Sequence, residues 1–511
     1  MTFYSILFKK PEDRPKIESL KAPVFFGDLN LDQIIASITA GKQEYNLKQF
    51  FFSSLQDVRA IEYRHEIMRD MEDSALFGPI NSFAQRMRTM REYLVQAEKL
   101  SSQYQKESWF LDAVEMYCEA VTSLANDLSR VELKSQGFLA FRKYLAYYIS
   151  SGGFKSLLAQ KEQIKSGVSS IQYCLLIKGS HVTVRKYEGE TDYSAAVLHT
   201  FDKFKQGAVK DHRIEFSEQP GMNHVEEKIL EMVAQLYPDI FTRLDNFYAT
   251  TRDYVDKVIG LFDREIQFYV AYLEYIATFK RTGLVFCYPK VTNANKQVYD
   301  YEGFDLALAN KLITEGATIV CNDFYLKDKE RILVVTGPNQ GGKTTFARTF
   351  GQVHFLASLG CPVPGREAQL FLFDGIYTHF EKEENIQNLR GKLQDDLIRI
   401  HQILTQATSK SIIILNELFT STTSQDALFL SEKIMEIIIR KDALGVWVTF
   451  IDELASFSEK TVSMVSTIVP QNPALRTYKI IRRPADGLAY AVAVAKKHRL
   501  TYDELEERLQ S

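Results

Sequence analysis

The chain has 511 residues, 45% of them hydrophobic and 25% charged, with a formal net charge of −3. That length suits about three domains with cores of their own, and the near-neutral balance excludes a global electrostatic hold on nucleic acid, so any such contact needs a local basic patch. Five scattered cysteines without a C-x-x-C pair exclude a disulfide frame or thiolate zinc site and predict a reduced, cytoplasmic protein.

From about residue 26 to 150 the chain reads as mainly helical. Leu55, Val58, Ile61, Tyr63, Ile67 and Met71 recur near helical spacing, and the segments Phe83–Leu100 and Trp109–Ser129 continue the pattern. Gly152-Gly153 breaks it. Ile171–Ile177 and His181–Tyr187 are β-rich runs separated by Lys178-Gly179-Ser180, which predicts a hairpin, and a helix is expected over Ser194–Phe204 before the break at Pro220-Gly221. Helical periodicity returns from His224 to Phe279. Residues 1–154 are therefore expected to be a first helical part, 155–222 a β-containing insert, 223–290 returning helices, and 291–511 a further domain. In that last part Ile332–Val335, Ser411–Leu415, Val446–Ile451, Val462–Val469 and Thr477–Ile481 are candidate strands alternating with helices, the pattern of an α/β layer with its ligand at the carboxyl ends of the strands. No apolar run approaches membrane-spanning length, and the charges at Lys9, Lys10 and Asp13 argue against a signal peptide.

The most specific stretch is Gly337, Pro338, Asn339, Gln340, Gly341, Gly342, Lys343, Thr344 and Thr345, directly after the apolar run Ile332–Val335. It fits G-x-x-x-x-G-K-[ST], a loop that cradles phosphates between a buried strand and a helix. Glycines let successive backbone N–H groups turn toward the phosphates at the positive end of the helix. Lys343 can reach the β and γ phosphates of ATP, and the Thr344 hydroxyl can coordinate Mg²⁺. A second strand, Ser411–Leu415, runs into Asn416 and Glu417, where a carboxylate is wanted as a general base. Asn416 stands where an Asp assists the metal in many such sites. Its amide can bond a metal-bound water but lacks the charge that attracts the ion.

These motifs resemble the MutS family of DNA mismatch-repair ATPases. The matching residues are Thr336–Thr345 with their Pro-Asn and double Gly, Val320-Cys-Asn-Asp323, Leu359-Gly-Cys-Pro-Val-Pro364, Ile376-Tyr-Thr378, Asn416-Glu417 with Ser421-Thr-Thr423 and Asp426, and Val448-Thr449 with Glu453-Leu454. A weaker likeness lies upstream in Leu55-Gln-Asp57, Ile61 and Arg64. The resemblance implies an ABC-type P-loop ATPase domain preceded by a mainly helical lever with a small β-containing clamp, pairing as a homodimer through the ATPase domains on double-stranded or branched DNA, with downstream repair proteins as further partners. It also implies roles: Asn322 near the adenosine, Asn339 on the phosphates, Glu417 as the catalytic carboxylate, and Asp426 in the loop crossing the dimer interface.

The departures from the family are equally specific. The lever-like sequence begins within the first 60 residues, so the family's mismatch-reading domain and its aromatic wedge are expected to be missing from this chain. Where the family places a serine toward the partner's γ phosphate, this chain has Gly391, and Arg390 or Lys392 is either a substitute for that contact or a solvated helix charge. Phe450 replaces the switch histidine and Ile319 the adenine-stacking aromatic. Residues 130–165 carry seven cations, Arg130, Lys134, Arg142, Lys143, Lys155, Lys161 and Lys165, against two glutamates, with aromatics between them. This is either a sequence-neutral DNA contact or a solvated helix face. Two functions are thus open: a DNA-coupled ATPase, or an ATP-binding, poorly hydrolysing scaffold that acts through protein partners.

Overall fold

The computed structural model describes residues 3–14, 21–190, 193, 197, 199–200, 222–381, 391–469 and 472–485. The chain divides into two compact units that interleave along the sequence. The first takes residues 1–3, 74–132 and 139–263; the second takes 4–73, 133–138 and 264–511.

The helices in chain order are α1 (Leu31–Ile38), α2 (Val58–Met71), α3 (Ser74–Lys99), α4 (Gln103–Arg130), α5 (Gln136–Ser150) and α6 (Gly152–Ser169). A hairpin of β1 (Tyr173–Lys178) and β2 (His181–Lys186) follows, then α7 (His224–Leu236), α8 (Pro238–Thr250) and α9 (Lys257–Lys280). In the first unit, α3 and α4 pack along their length, and Phe141 stacks on Phe262 with ring centroids 3.6 Å apart. The Asp256 carboxylate accepts from Val258 N and Ile259 N at 3.0 Å each, which caps the start of α9. The boundary expected at residue 155 falls inside α6. The helix restarts at once because Ser151 Oγ accepts from Phe154 N, so the break is confined to Ser151 and Gly152-Gly153 open the next helix. The predicted hairpin is present, whereas the helix expected over Ser194–Phe204 and the break at Pro220-Gly221 lie largely outside the described residues.

The second unit holds the α/β layer. Its smaller sheet has the order β3 (Lys290–Thr292), β7 (Glu367–Phe371), β4 (Val298–Gly303), β5 (Asn322–Leu326). Helix α10 (Leu306–Thr314) links β4 to β5. The larger sheet has the order β8 (Ile376–His379), β9 (Ile412–Asn416), β10 (Leu444–Val448), β6 (Ile332–Thr336), β11 (Thr461–Val469), β12 (Asn472–Arg482). Its first five strands are parallel and β12 is antiparallel to β11. Every residue of β6, β9 and β10 is buried, as expected for strands covered on both faces. The helices α11 (Lys343–Ser358), α12 (Lys392–Gln406) and α13 (Ser424–Lys441) connect them. Strand β10 ends at Val448, short of the predicted Ile451, so Phe450 is freed from the sheet and stands half-exposed on the loop beyond it.

Residues 5–8 of the second unit form a buried strap with no strand partner among the described residues. Its backbone is satisfied by side chains: Tyr63 donates to Ser5 O at 2.7 Å, Ile6 N donates to Glu265 Oε2 at 3.1 Å, and Tyr269 donates to Ile6 O at 2.7 Å. The Arg64 guanidinium donates to Leu7 O at 3.0 Å and to Leu359 O, just past the end of α11, at 2.7 Å. A buried backbone polar group left alone would cost about 1–3 kcal/mol, so these four side chains are what allow the strap to enter the core.

Candidate nucleotide-binding site

Strand β6 delivers the chain into the glycine-rich loop at the carboxyl end of the sheet. The turn needs left-handed backbone at Gly337 (φ 112°), Gln340 (φ 57°) and Gly342 (φ 90°). A side chain at Gly341 would have its Cβ 2.2 Å from Ser466 Oγ, so β11 approaches the loop as closely as glycine permits. Helix α11 opens at Lys343, directing its first N–H groups into the loop.

Lys343 is 4% exposed. Its ammonium donates to Gly337 O at 2.8 Å, Pro338 O at 3.1 Å and Asn339 Oδ1 at 3.3 Å, neutral oxygens that stand in for the anionic ones such a lysine can serve. The Phe450 ring centroid lies 4.5 Å from its Nζ. Burial lowers the Lys343 pKa to about 8; Glu417 opposes the shift and Arg476 adds to it. Thr344 Oγ1 donates to Asn416 Oδ1 at 2.9 Å, which joins the hydroxyl and amide expected at the metal position. A hydroxyl and a neutral amide suit a cation that keeps most of its water and takes its charge partners from a nucleotide, the habit of Mg²⁺. Among the described residues no group of three or more His, Cys, Asp or Glu could hold a metal by itself.

Glu417 stands at the end of β9 in left-handed backbone, φ 53°, with its N–H donated to Val448 O at 2.9 Å. Burial raises its pKa; Lys343 opposes this, Glu381 adds to it and Lys392 opposes it. Positive φ at a side-chain-bearing residue is costly and marks a position the surroundings enforce. Lys392 is engaged within its own chain, hydrogen-bonded to Glu381 and, at 3.0 Å, to Thr420 Oγ1.

The remaining predicted residues fall in several places. Asn322, at the start of β5, donates through Nδ2 to Tyr478 O at 3.1 Å and accepts from Ile480 N at 2.8 Å, tying the small sheet to β12. Thr345 contributes its carbonyl to the Thr349 hydroxyl at 3.0 Å. Asp426 is exposed at the start of α13, where its N–H donates to Thr423 Oγ1 at 3.2 Å and its carboxylate accepts from that hydroxyl at 2.8 Å. Gly391 caps α12 in open space, with nothing within 4 Å of the place a Cβ would take, while Arg390 lies outside the described residues. Of the basic stretch, Arg130, Lys143 and Lys155 are exposed in the first unit and Lys134 is exposed in the second. Arg142 leans toward the carbonyls of Leu128 and Val131 at 3.4 and 3.5 Å. Lys161 is 5% exposed and paired with Glu115 and Glu162, and Lys165 is paired with Glu115. Lys161 is therefore a buried ion-pair member and does not present its charge to solvent.

Two residues beside the loop carry no signal in the sequence. Tyr478, half-exposed on β12 at φ 57°, has its backbone 3.7 Å from where a Cβ on Gly342 would sit. Arg476, on the same strand, donates through Nε to Asn339 O at 3.1 Å.

A central parallel strand running through a glycine turn into a helix headed by lysine is an arrangement by which α/β proteins hold phosphate groups. The family profile of MutS domain V matches residues 333–505, the stretch that holds this site. It is 28% identical over 287 residues to the DNA mismatch repair protein MutS of Clostridium kluyveri, covering 54% of this chain and 32% of that one. It is 29% identical over 211 residues to the MutS of Thermotoga maritima, covering 40% and 26%. The Endonuclease MutS2 of Thermus thermophilus is 29% identical over 192 residues, covering 37% and 25%. The matched region thus spans a third or less of each of these relatives.

Proposed function

We propose that this chain binds ATP in the Gly337–Thr345 loop, hydrolyses it, and uses the nucleotide to set the conformation of a homodimer on double-stranded or branched DNA during repair or recombination. The observation that carries this reading is the single cluster of a buried Lys343, the Thr344–Asn416 pair and the half-buried Glu417 at the carboxyl ends of β6 and β9, the two strands that flank β10. The names of the relatives, two DNA mismatch repair proteins and an endonuclease, support DNA as the substrate class.

In this reading Lys343 exchanges its three loop oxygens for the β and γ phosphates, and the loop N–H groups hold the same oxygens. Mg²⁺, when bound beside Thr344 and Asn416, supplies charge neutralisation of the phosphates. Glu417 orients the attacking water and accepts its proton, a role that its raised pKa suits. The ATPase domain is the 291–511 region, the helices on either side of the hairpin are its lever and the 155–222 insert its clamp. Of the 130–165 stretch, exposed Arg130, Lys143 and Lys155 are the first-unit cations that would meet duplex phosphates.

A second reading has its own observation. Phe450 lies against the Lys343 ammonium and Asn416 brings no charge, both of which favour a slow or switch-like nucleotide site. ATP turnover by the purified chain, with and without duplex and branched DNA, separates the two. DNA-stimulated hydrolysis that falls at least about a hundredfold in Glu417→Gln is the expected result. Tight ATP binding without turnover on any DNA would replace the ATPase with the scaffold.

A further inference from the structure

Strand β12 does more than edge the large sheet. Its pairing with β11 shifts register between Ser466 and Ile468 and again between Ile468 and Val469, so β12 does not run straight beside its neighbour. It is drawn along the glycine loop and meets it at two places. At one lies Tyr478, held by the Asn322 amide and next to Gly342. At the other lies Arg476, whose Nε donates to the carbonyl of Asn339 at 3.1 Å. Asn339 is also the residue whose side chain receives the Lys343 ammonium, so Arg476 is fastened to the part of the loop that already holds the lysine. Asn339 and Gln340 are exposed there, and the loop tip is open to a ligand.

We infer that Arg476 is a second phosphate-binding cation of this site, contacting the terminal phosphate of ATP from within the same chain. The inference rests on the ATP-binding reading above and adds to it the group that distinguishes ATP from ADP. Its chemistry follows from the guanidinium: a planar fork of donors that remains charged at every physiological pH and matches phosphate oxygens two at a time. Arg476 and the Lys343 ammonium converge on one residue, Asn339, the first at its carbonyl and the second at its side chain. Two cations held this close favour an anion between them. The strain accepted at Tyr478 and the register shifts of β12 then have a common purpose, because they bring residue 476 to the tip of the loop.

The test is nucleotide affinity by titration calorimetry on the full chain, in a Glu417→Gln background that prevents turnover. Arg476→Ala is expected to weaken ATP about tenfold while changing ADP less than twofold, and Arg476→Lys to fall between the parent and the alanine variant for ATP. Arg476→Gln, which keeps a side-chain donor for the Asn339 carbonyl, is expected to lose ATP affinity like alanine. Equal losses for ATP and ADP, or full affinity in Arg476→Gln, would reduce Arg476 to a support of the loop and overturn the proposal. A Glu417→Gln parent that bound neither nucleotide would instead defeat the ATP reading on which the proposal stands.

Discussion

Lys343 is buried among neutral oxygens, and this makes its charge conditional. With a pKa near 8, its ammonium begins to lose its proton in the free protein at a pH where an ordinary lysine, near 10.4, is still fully charged. Phosphates favour the charged form, so binding must return the proton. Between about pH 8 and 10 ATP binding is expected to take up a proton, with uptake vanishing near pH 7. Calorimetry in buffers of different ionisation heat measures this directly, and equal enthalpies in all buffers at pH 9 would refute it. Gly341 offers a second check. Because Ser466 Oγ occupies the place of its Cβ, Gly341→Ala is expected to weaken nucleotide binding about tenfold, and the double variant with Ser466→Gly to recover part of it. Residues of this kind are readable in the sequence because a phosphate loop needs glycines and Lys-Thr at fixed spacing. Arg476 and Tyr478 are not, since nothing local shows that a bulged strand more than a hundred residues downstream will lie beside Asn339 and Gly342.

Elements differ in how much of themselves they announce. The buried strands β6 and β9 are short apolar runs bounded by turn residues, and their expected limits match to within a residue. The strand expected at Val446–Ile451 is displaced in the structure because an apolar run does not say which of its members leave the sheet. The small sheet escapes a reading by pattern, as its strands carry charged and aromatic residues without a clean alternation. At the opposite end of the large sheet, α13 stops at Asp442, in left-handed backbone at φ 60°. Its carboxylate accepts from Lys296 at 2.7 Å, Lys460 at 2.8 Å and Arg331 at 3.0 Å. Burial alone would raise its pKa, but hydrogen bonds from Lys296 and Lys460, then the Lys296 charge and the Arg331 bond, hold it well below the usual carboxylate range. A depressed folded pKa contributes stability that is complete above the unfolded value of about 3.9 and is lost as pH falls toward the folded one. Asp442→Asn is therefore expected to cost about 1 kcal/mol at pH 7 and progressively less below pH 4, measured by urea unfolding at both. An equal cost at pH 7 and pH 3 would show that the carboxylate's charge is not what matters.

The molecule as a whole has one tryptophan in each unit, Trp109 against Tyr93 in the first and fully buried Trp447 in the second. Each unit can thus be followed by its own fluorescence. Arg64→Met removes two hydrogen bonds to buried carbonyls, and the expected loss of about 3 kcal/mol would appear as an earlier Trp447 transition in a Trp109→Phe background. An unmoved transition would mean that the strap is not held by Arg64. The strap is illegible in sequence for a physical reason: Ser5, Ile6 and Leu7 are satisfied by side chains between 57 and 263 residues away. The same distance imposes an order on synthesis. Ile6, Leu7 and Phe8 emerge from the ribosome well ahead of Glu265 and Tyr269, which leave it only after residues 74–132 and 139–263 of the first unit have been made. At about 5–20 residues per second that is a delay on the order of 10–50 seconds. Throughout it, Ile6, Leu7 and Phe8 lack the cover that α9 later gives them and stay open to chaperones while the first unit is still being made.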